Sequence, residues 1–342
     1  MKKKIIVGSI LGVLAIALIG LGVFFYNIQS MMGGSVELSE QHQSHRVGSN
    51  AAEQAGAPNV YMTSAITSEG LMNVYQAMGT NLNGDNTAVK LSTGEPGSNY
   101  LDPALIKDLV QYVNGTIVEC NTTYGGQRGE TEMHYRVAAD HGFTDIAKVV
   151  IMDENGSVSI PVEGGSRLTE NLVGAHFTEY DGFLVLSHFK GHAMAGFGGA
   201  LKNISIGIAS QEGKSLIHTA GASNTSPWGG EQNPFLESMA EAGKSVSDRL
   251  DGNILYVNVM NRLSVDCDCD GDPAEPDMHD IGILASTDPV ALDQACVDLV
   301  YEAEDGASLV TRMESRNGEH VLQHGEEIGL GSRSYNLVSI DQ

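Results

Sequence analysis

The sequence predicts an α/β fold, a mainly parallel or mixed sheet with helices on both faces. Three features predict it. Apolar runs such as 183–186 (FLVL) and 254–259 (ILYVNV) lack an alternating polar face, as strands buried on both sides require. Segments of helical length separate the runs, which makes βαβ units. Several runs empty into Gly-rich passages, where open α/β sheets place their ligands.

Taken in order, 59–64 reads as a strand, 68–78 as a helix and 87–91 as a strand. A helix over 103–113 starts with proline in its first turn, and the strand 115–120 follows. Next come a helix at 131–141 and strands at 147–152 and 183–186. The chain then passes through a Gly/Ser/Asn-rich stretch holding Trp228, the sole tryptophan. A helix over 234–250 leads to strands at 254–259 and 281–284, a helix at 289–303, two short helices to about 327, and a last strand at 335–340. No internal repeat is visible.

With 342 residues and 42% hydrophobic content, the chain can bury a sizeable core, as one large α/β domain or two intimate lobes over 58–342. Its formal charge is −24. Lys2, Lys3 and Lys4 sit at the extreme N-terminus, so the remainder is more acidic still. Such a surface excludes nucleic acid and docking on anionic lipid as partners. Residues 5–26 carry no charge, follow those lysines, and are long enough to span a bilayer. The expectation is a cytoplasmic tail at 1–4, an uncleaved single-pass anchor at 5–26, a polar flexible stalk at 27–57, and a domain outside the cytoplasm at the cell membrane. The rival reading of 5–26 is a cleaved signal peptide. The four cysteines, Cys120, Cys267, Cys269 and Cys296, make no disulfide scaffold, and Cys267 and Cys269 are expected to stand too close in sequence to pair.

The chemistry concentrates in three passages. In FLVLSHFKGHAMAGFGGALKNISIG (183–207), a strand runs into His188, Lys190, His192 and Lys202 among five glycines. Imidazoles and ammonium groups there can bind a metal, hold an anion or move protons, which makes these four the candidate catalytic groups. In CNTTYGGQRGETEMH (120–134), the Gly125–Gly126 turn and Arg128 form a candidate anion cradle, and Gly198 and Gly199 form another. His134 is read evenly as site or core, and His141 as a satisfied residue at a helix end.

In SVDCDCDGDPAEPDMHD (264–280), seven acidic residues, two thiols and one imidazole fall within 15 positions. Crowded carboxylates repel unless a cation neutralises them. Cys267, Cys269, His279, Asp266, Asp268 and Asp270 are therefore candidate metal ligands, suited to iron, zinc or nickel. The alternative is calcium, since Asp266, Asp268, Asp270, Gly271 and Asp277 approximate a calcium loop, although two prolines interrupt it. A solvated acidic loop is the plain reading. Further on, Cys296 is expected in the core, and Asp293 on a solvated surface.

The segments VKLSTGEPG, GTIVECNTTYGG, SHFKGHAMAGFGGALKNISIG, NVMNRLSVDCDCDG and DIGILASTDPVALDQACVDL together resemble the uncharacterised iron–sulfur-centre protein family, domain of unknown function 362, from about residue 58 onward. The resemblance implies a metal or iron–sulfur centre. Many members carry C-x-x-C-x-x-C-x-x-x-C runs; this chain has none near 214–233, which excludes a ferredoxin-like pair of clusters. A single cluster would need Cys120, Cys267 and Cys269 to converge, with Cys296 or a histidine as the fourth ligand. A fainter similarity is to nickel-dependent lactate racemases: GHAMAGFGGALK looks like their cofactor segment, with Lys202 at the lysine's place, and YGGQRGETEMH looks like the turn that meets substrate. The expectation is a metal-binding protein acting by redox or proton transfer on a small anionic molecule, with His188, His192, Cys267 and Cys269 as ligands. A non-catalytic module that captures calcium or a small anion is the alternative.

Overall fold

The strand predicted at 183–186 extends to Gly182–His188 in a computed structural model that describes residues 41–341. Its side chains alternate between two cores. Phe183 and Val185 join one apolar cluster, and Leu184 and Leu186 join the other. That is the period-two geometry of a strand covered on both faces.

In chain order the strands are β1 (Arg46–Ser49), β2 (Asn59–Thr63), β3 (Thr87–Lys90), β4 (Thr116–Glu119), β5 (Val149–Ile151), β6 (Ser157–Pro161), β7 (Glu170–Gly174), β8 (Gly182–His188), β9 (Lys190–His192), β10 (Gly196–Gly198), β11 (Ile254–Met260), β12 (Gly282–Ser286) and β13 (Tyr335–Ser339). Helices are α1 (Ser68–Ala77), α2 (Pro103–Tyr112), α3 (Thr131–Asp140), α4 (Ala200–Ile204), α5 (Gln211–His218), α6 (Gln232–Arg249), α7 (Pro289–Glu302), α8 (Ala307–Glu314) and α9 (His320–Glu327).

The main sheet has the order β1-β13-β2-β12-β11-β8-β3-β4-β5. It is mixed, because β12 runs antiparallel to β11 and to β2 while the remaining pairs are parallel. Two hairpins, β6–β7 and β9–β10, stand outside it. The apolar side chains of α1, α2 and α3 fill one cluster; those of α4 to α9 fill the other.

From β3 the chain steps outward to β4 and β5 through α2 and α3, whereas β8 steps the opposite way to β11 through helices on the other face. The β3–β8 junction is thus a topological switch point, and ligands of open α/β sheets bind at the carboxyl ends of strands there.

One expectation is corrected within the described residues. Part of the passage expected as a stalk is β1, which pairs with β13. Ser44 Oγ and the His45 amide also hydrogen-bond the buried carboxylate of Asp298 at 2.9 and 2.8 Å. A polar strand at a sheet edge has no apolar alternation to announce it. The expected tail and anchor at 1–4 and 5–26 lie outside the described residues. Among the described residues, no helix is long and apolar enough to cross a membrane.

Candidate functional site

The carboxyl ends of β3, β4 and β8 open onto a pocket of about 100 Å³. It is lined by five cationic side chains, Lys90, Arg128, Lys190, Lys202 and Lys214, against two carboxylates, Glu119 and Asp268. In a chain of formal charge −24, that concentration of positive charge is local and built. The volume admits a small anion and falls well short of the roughly 300 Å³ that larger ligands need.

The two loops expected to meet do meet. Gly191 donates its amide to the Ser264 carbonyl at 2.8 Å, and a Cβ on Gly191 would lie 2.3 Å from the Val265 carbonyl oxygen. Only glycine permits that approach. Asp268, between the two cysteines, accepts from Lys190 Nζ at 2.7 Å and faces His188 Nδ1 at 3.2 Å. Burial works against its charge, and His188 and Lys190 outweigh burial, holding the carboxyl at about 2. His188 Nε2 meets the Asn261 carbonyl at 2.7 Å, so both of its ring nitrogens are engaged. His188 and Lys190 therefore fix the loop and are not free ligands.

At each expected anion cradle the structure places a carboxylate of the protein itself. At Gly125–Gly126, the Gln127 amide donates to Glu95 at 2.8 Å and Arg128 Nε donates to the same carboxylate at 3.2 Å. Arg128 Nη1 also reaches Ser92 at 3.1 Å and Glu119 at 3.2 Å. Beyond Gly198–Gly199, the amides of Ala200 and Leu201 donate to Asp293 at 2.7 and 2.9 Å. Asp293, expected at a solvated surface, is fully buried there as the cap of α4; burial pushes its carboxyl up to about 6 despite those amides and Asn258.

Glu119 and His134 make a buried pair, Oε2 to Nε2 at 2.8 Å, with Asn121 Oδ1 at 3.2 Å from the other ring nitrogen. Burial opposes the Glu119 charge, but Arg128 and His134 prevail and keep the carboxyl well below its usual range. His141 is satisfied at its helix end, facing the Thr93 carbonyl at 2.7 Å and stacked on Tyr100.

Three lysines remain, and two of them, Lys90 and Lys214, escape motif reasoning. Lys90, 1% exposed, donates to the Leu91 carbonyl at 2.6 Å and Asn203 Oδ1 at 2.9 Å. Lys214 donates to the Ala209 carbonyl at 2.5 Å. The ammonium of Lys202, at the pocket and partly exposed, makes neither a hydrogen bond nor an ion pair among the described residues. None of the three has a carboxylate partner among the described residues. Burial, then the repulsion of Arg128, Lys90 and Lys214, brings Lys202 down to about 8; burial brings Lys90 to about 8 as well.

The acidic passage departs most from expectation. Cys267 and Cys269 form a disulfide, with their Cα atoms 5.2 Å apart, which one intervening residue allows when the loop turns back on itself. Their sulfurs and a ring nitrogen of His192 lie within 4.8 Å of one another, a Cys/His group of metal-ligating type. His192 Nδ1 accepts the amides of Met194 and Ala195 at 3.2 and 2.9 Å, and burial beside Lys202 holds the ring neutral. A metal would need the disulfide reduced first.

The remaining candidates disperse. Asp266 pairs with Arg312 at 3.0 Å, Asp270 accepts the Asp272 amide at 2.9 Å, Asp277 bonds Ser308, and the exposed His279 pairs with Asp305 at 2.8 Å. The calcium loop thus does not converge, because its carboxylates find separate partners. An iron–sulfur cluster does not fit either. Cys120 donates to the Ile208 carbonyl at 3.2 Å with burial raising its thiol to about 12, and Cys296 is buried in α7 beside Asn258. Both lie outside the His192 group.

The site is thus a lysine-lined pocket with a C-x-C disulfide at the switch point of a parallel-rich mixed sheet. The chain belongs to the family described as domain of unknown function, DUF362, whose model matches residues 87–298. No curated protein matches it. Among solved structures it is similar to the lactate racemase apoprotein from Thermoanaerobacterium thermosaccharolyticum, at 16% identity and a TM-score of 0.43, covering 79% of this chain and 61% of that one. A Thermotoga maritima protein matches at 14% identity and a TM-score of 0.43, covering 71% of this chain and 60% of that one. The chain therefore spans less than two thirds of either structure.

Proposed function

We propose that the pocket at the β3–β8 junction binds a small anionic molecule and that Lys202 exchanges a proton with it. One observation carries this reading: the ammonium groups of Lys90, Lys202 and Lys214 face a single pocket without a carboxylate partner among the described residues. Buried cations without a counter-ion are costly, and an anion bound among them relieves that cost. The candidate ligands are inorganic phosphate, sulfate or a short carboxylate. A lysine near 8 carries and releases protons at neutral pH, as a general acid or base must. The N-terminal sequence at 5–26 supports a single-pass anchor with this pocket outside the cytoplasm, and the Cys267–Cys269 disulfide suits that oxidising side.

Melting the protein with phosphate, sulfate, acetate or lactate, against chloride at matched ionic strength, tests the reading. Ligand at about a hundred times Kd stabilises by about 2.7 kcal/mol, which is several degrees for a domain of this size. Lys202→Gln should remove most of that rise. No anion exceeding chloride would refute the proposal.

A second reading rests on the Cys/His group: once reduced, Cys267, Cys269 and His192 hold a transition metal, of which iron, zinc and nickel are the candidates. Elemental analysis after reduction and exposure to each metal should find one equivalent, lost in Cys269→Ser. Less than a tenth of an equivalent of every metal would exclude it.

A further inference from the structure

Cys267 is buried and Cys269 half-buried. Their disulfide lines the same pocket as the lysines that have no carboxylate partner among the described residues. We propose that this disulfide is a redox centre that oxidises a small anionic thiol held by the pocket lysines. The proposal rests on the anion-binding reading above and names the substrate class.

The geometry gives the reaction a direction. Cys267 is 9% exposed, and its Sγ accepts the backbone amide of Cys269 at 3.3 Å. Cys269 is more open. The incoming thiolate therefore attacks Cys269 Sγ, a substrate–Cys269 bond forms, and the S–S bond breaks. Cys267 leaves as a thiolate facing a backbone N–H in a positive pocket, the surroundings that stabilise a thiolate. A second substrate thiolate attacks the substrate sulfur of the mixed disulfide and releases Cys269. Two thiolates thus become one substrate disulfide and two electrons pass to the cysteine pair; the protons that the substrate thiols lose on ionising go to solvent, from which the Cys269 sulfur takes one up. Asp268, clamped by Lys190 and His188 between the cysteines, holds the turn in place throughout.

The test uses the full chain in its oxidised state. Mercaptoacetate and neutral 2-mercaptoethanol are compared at equal thiolate concentration, and the newly freed cysteines are counted by alkylation and mass. The charged thiol should reduce the pair at least about tenfold faster, the scale of electrostatic steering into a focused site. Inorganic phosphate should slow mercaptoacetate and spare 2-mercaptoethanol, and Lys202→Gln should shrink the ratio to about twofold or less. Equal rates for the two thiols, or no reduction by either without denaturant, would overturn the proposal. If phosphate raises the melting temperature while neither thiol reacts, the anion site stands and the redox role falls. If no anion binds, the anion site itself has failed.

Discussion

Lys202 was legible from the start, because it sits in a Gly-rich stretch after a strand. Lys90 and Lys214 were not, because a lysine ending an apolar strand or lying within a short helix reads as a snorkelling surface residue. The fold buries both beside the same pocket. Their state sets a pH dependence. Lys90 and Lys202 titrate near 8 in the fold, below the roughly 10.4 of a free lysine. The unfolded chain binds more protons between those values, so the ligand-free protein should gain stability as pH rises from about 8 to about 10. Anion affinity should move the other way, falling above pH 8 by up to about tenfold per unit for each lysine that must take up a proton on binding. Urea melts and binding titrations across pH 7–10 check both signs. The carboxylates of Glu95 and Asp293 were illegible for a related reason: nothing local says that a distant acid will fill a predicted cradle.

At the scale of elements, α4 has five residues and is preceded by Gly199 at its N-cap, where a Cβ would lie 2.3 Å from Asp293 Oδ1. The helix carrying Lys202 is thus aimed by a carboxylate from α7. Asp293→Ala should cost about 2–3 kcal/mol, since two amides lose a charged cap in a buried place. Asp293 titrates near 6, above its ordinary 3.8, so the proton-linked part of its contribution is full at low pH and is lost as pH rises through 6, while the amide hydrogen bonds to the charged form persist. Asp293→Asn should flatten that fall between about pH 4 and pH 6 in denaturant melts. Most predicted strands and helices recur within a few residues, because apolar runs and proline-led helix starts are local signals. The β9–β10 hairpin hides among the glycines, and β1 hides in polar sequence; neither carries the apolar alternation that announces a strand.

Across the whole molecule, the α/β class followed from pattern, whereas the meeting of the two loops was only implied by taking His188, His192, Cys267 and Cys269 as one ligand set. The reversal of β12 did not follow from pattern, because burial on both faces looks the same in either strand direction. The central strand sets the stability. Leu184→Ala in β8, at a fully buried position, should cost about 2–5 kcal/mol and lower the melting temperature without changing anion specificity. The proposed function gives an acidic protein a positive pocket for a small anion at the switch point of its sheet. Calorimetric titration of inorganic phosphate into the full chain at pH 7 and pH 10 tests it most directly. One site at pH 7, weakened at least about tenfold at pH 10 and by Lys202→Gln, is the result expected. Absence of binding at pH 7, or binding indifferent to both pH and Lys202, would contradict it.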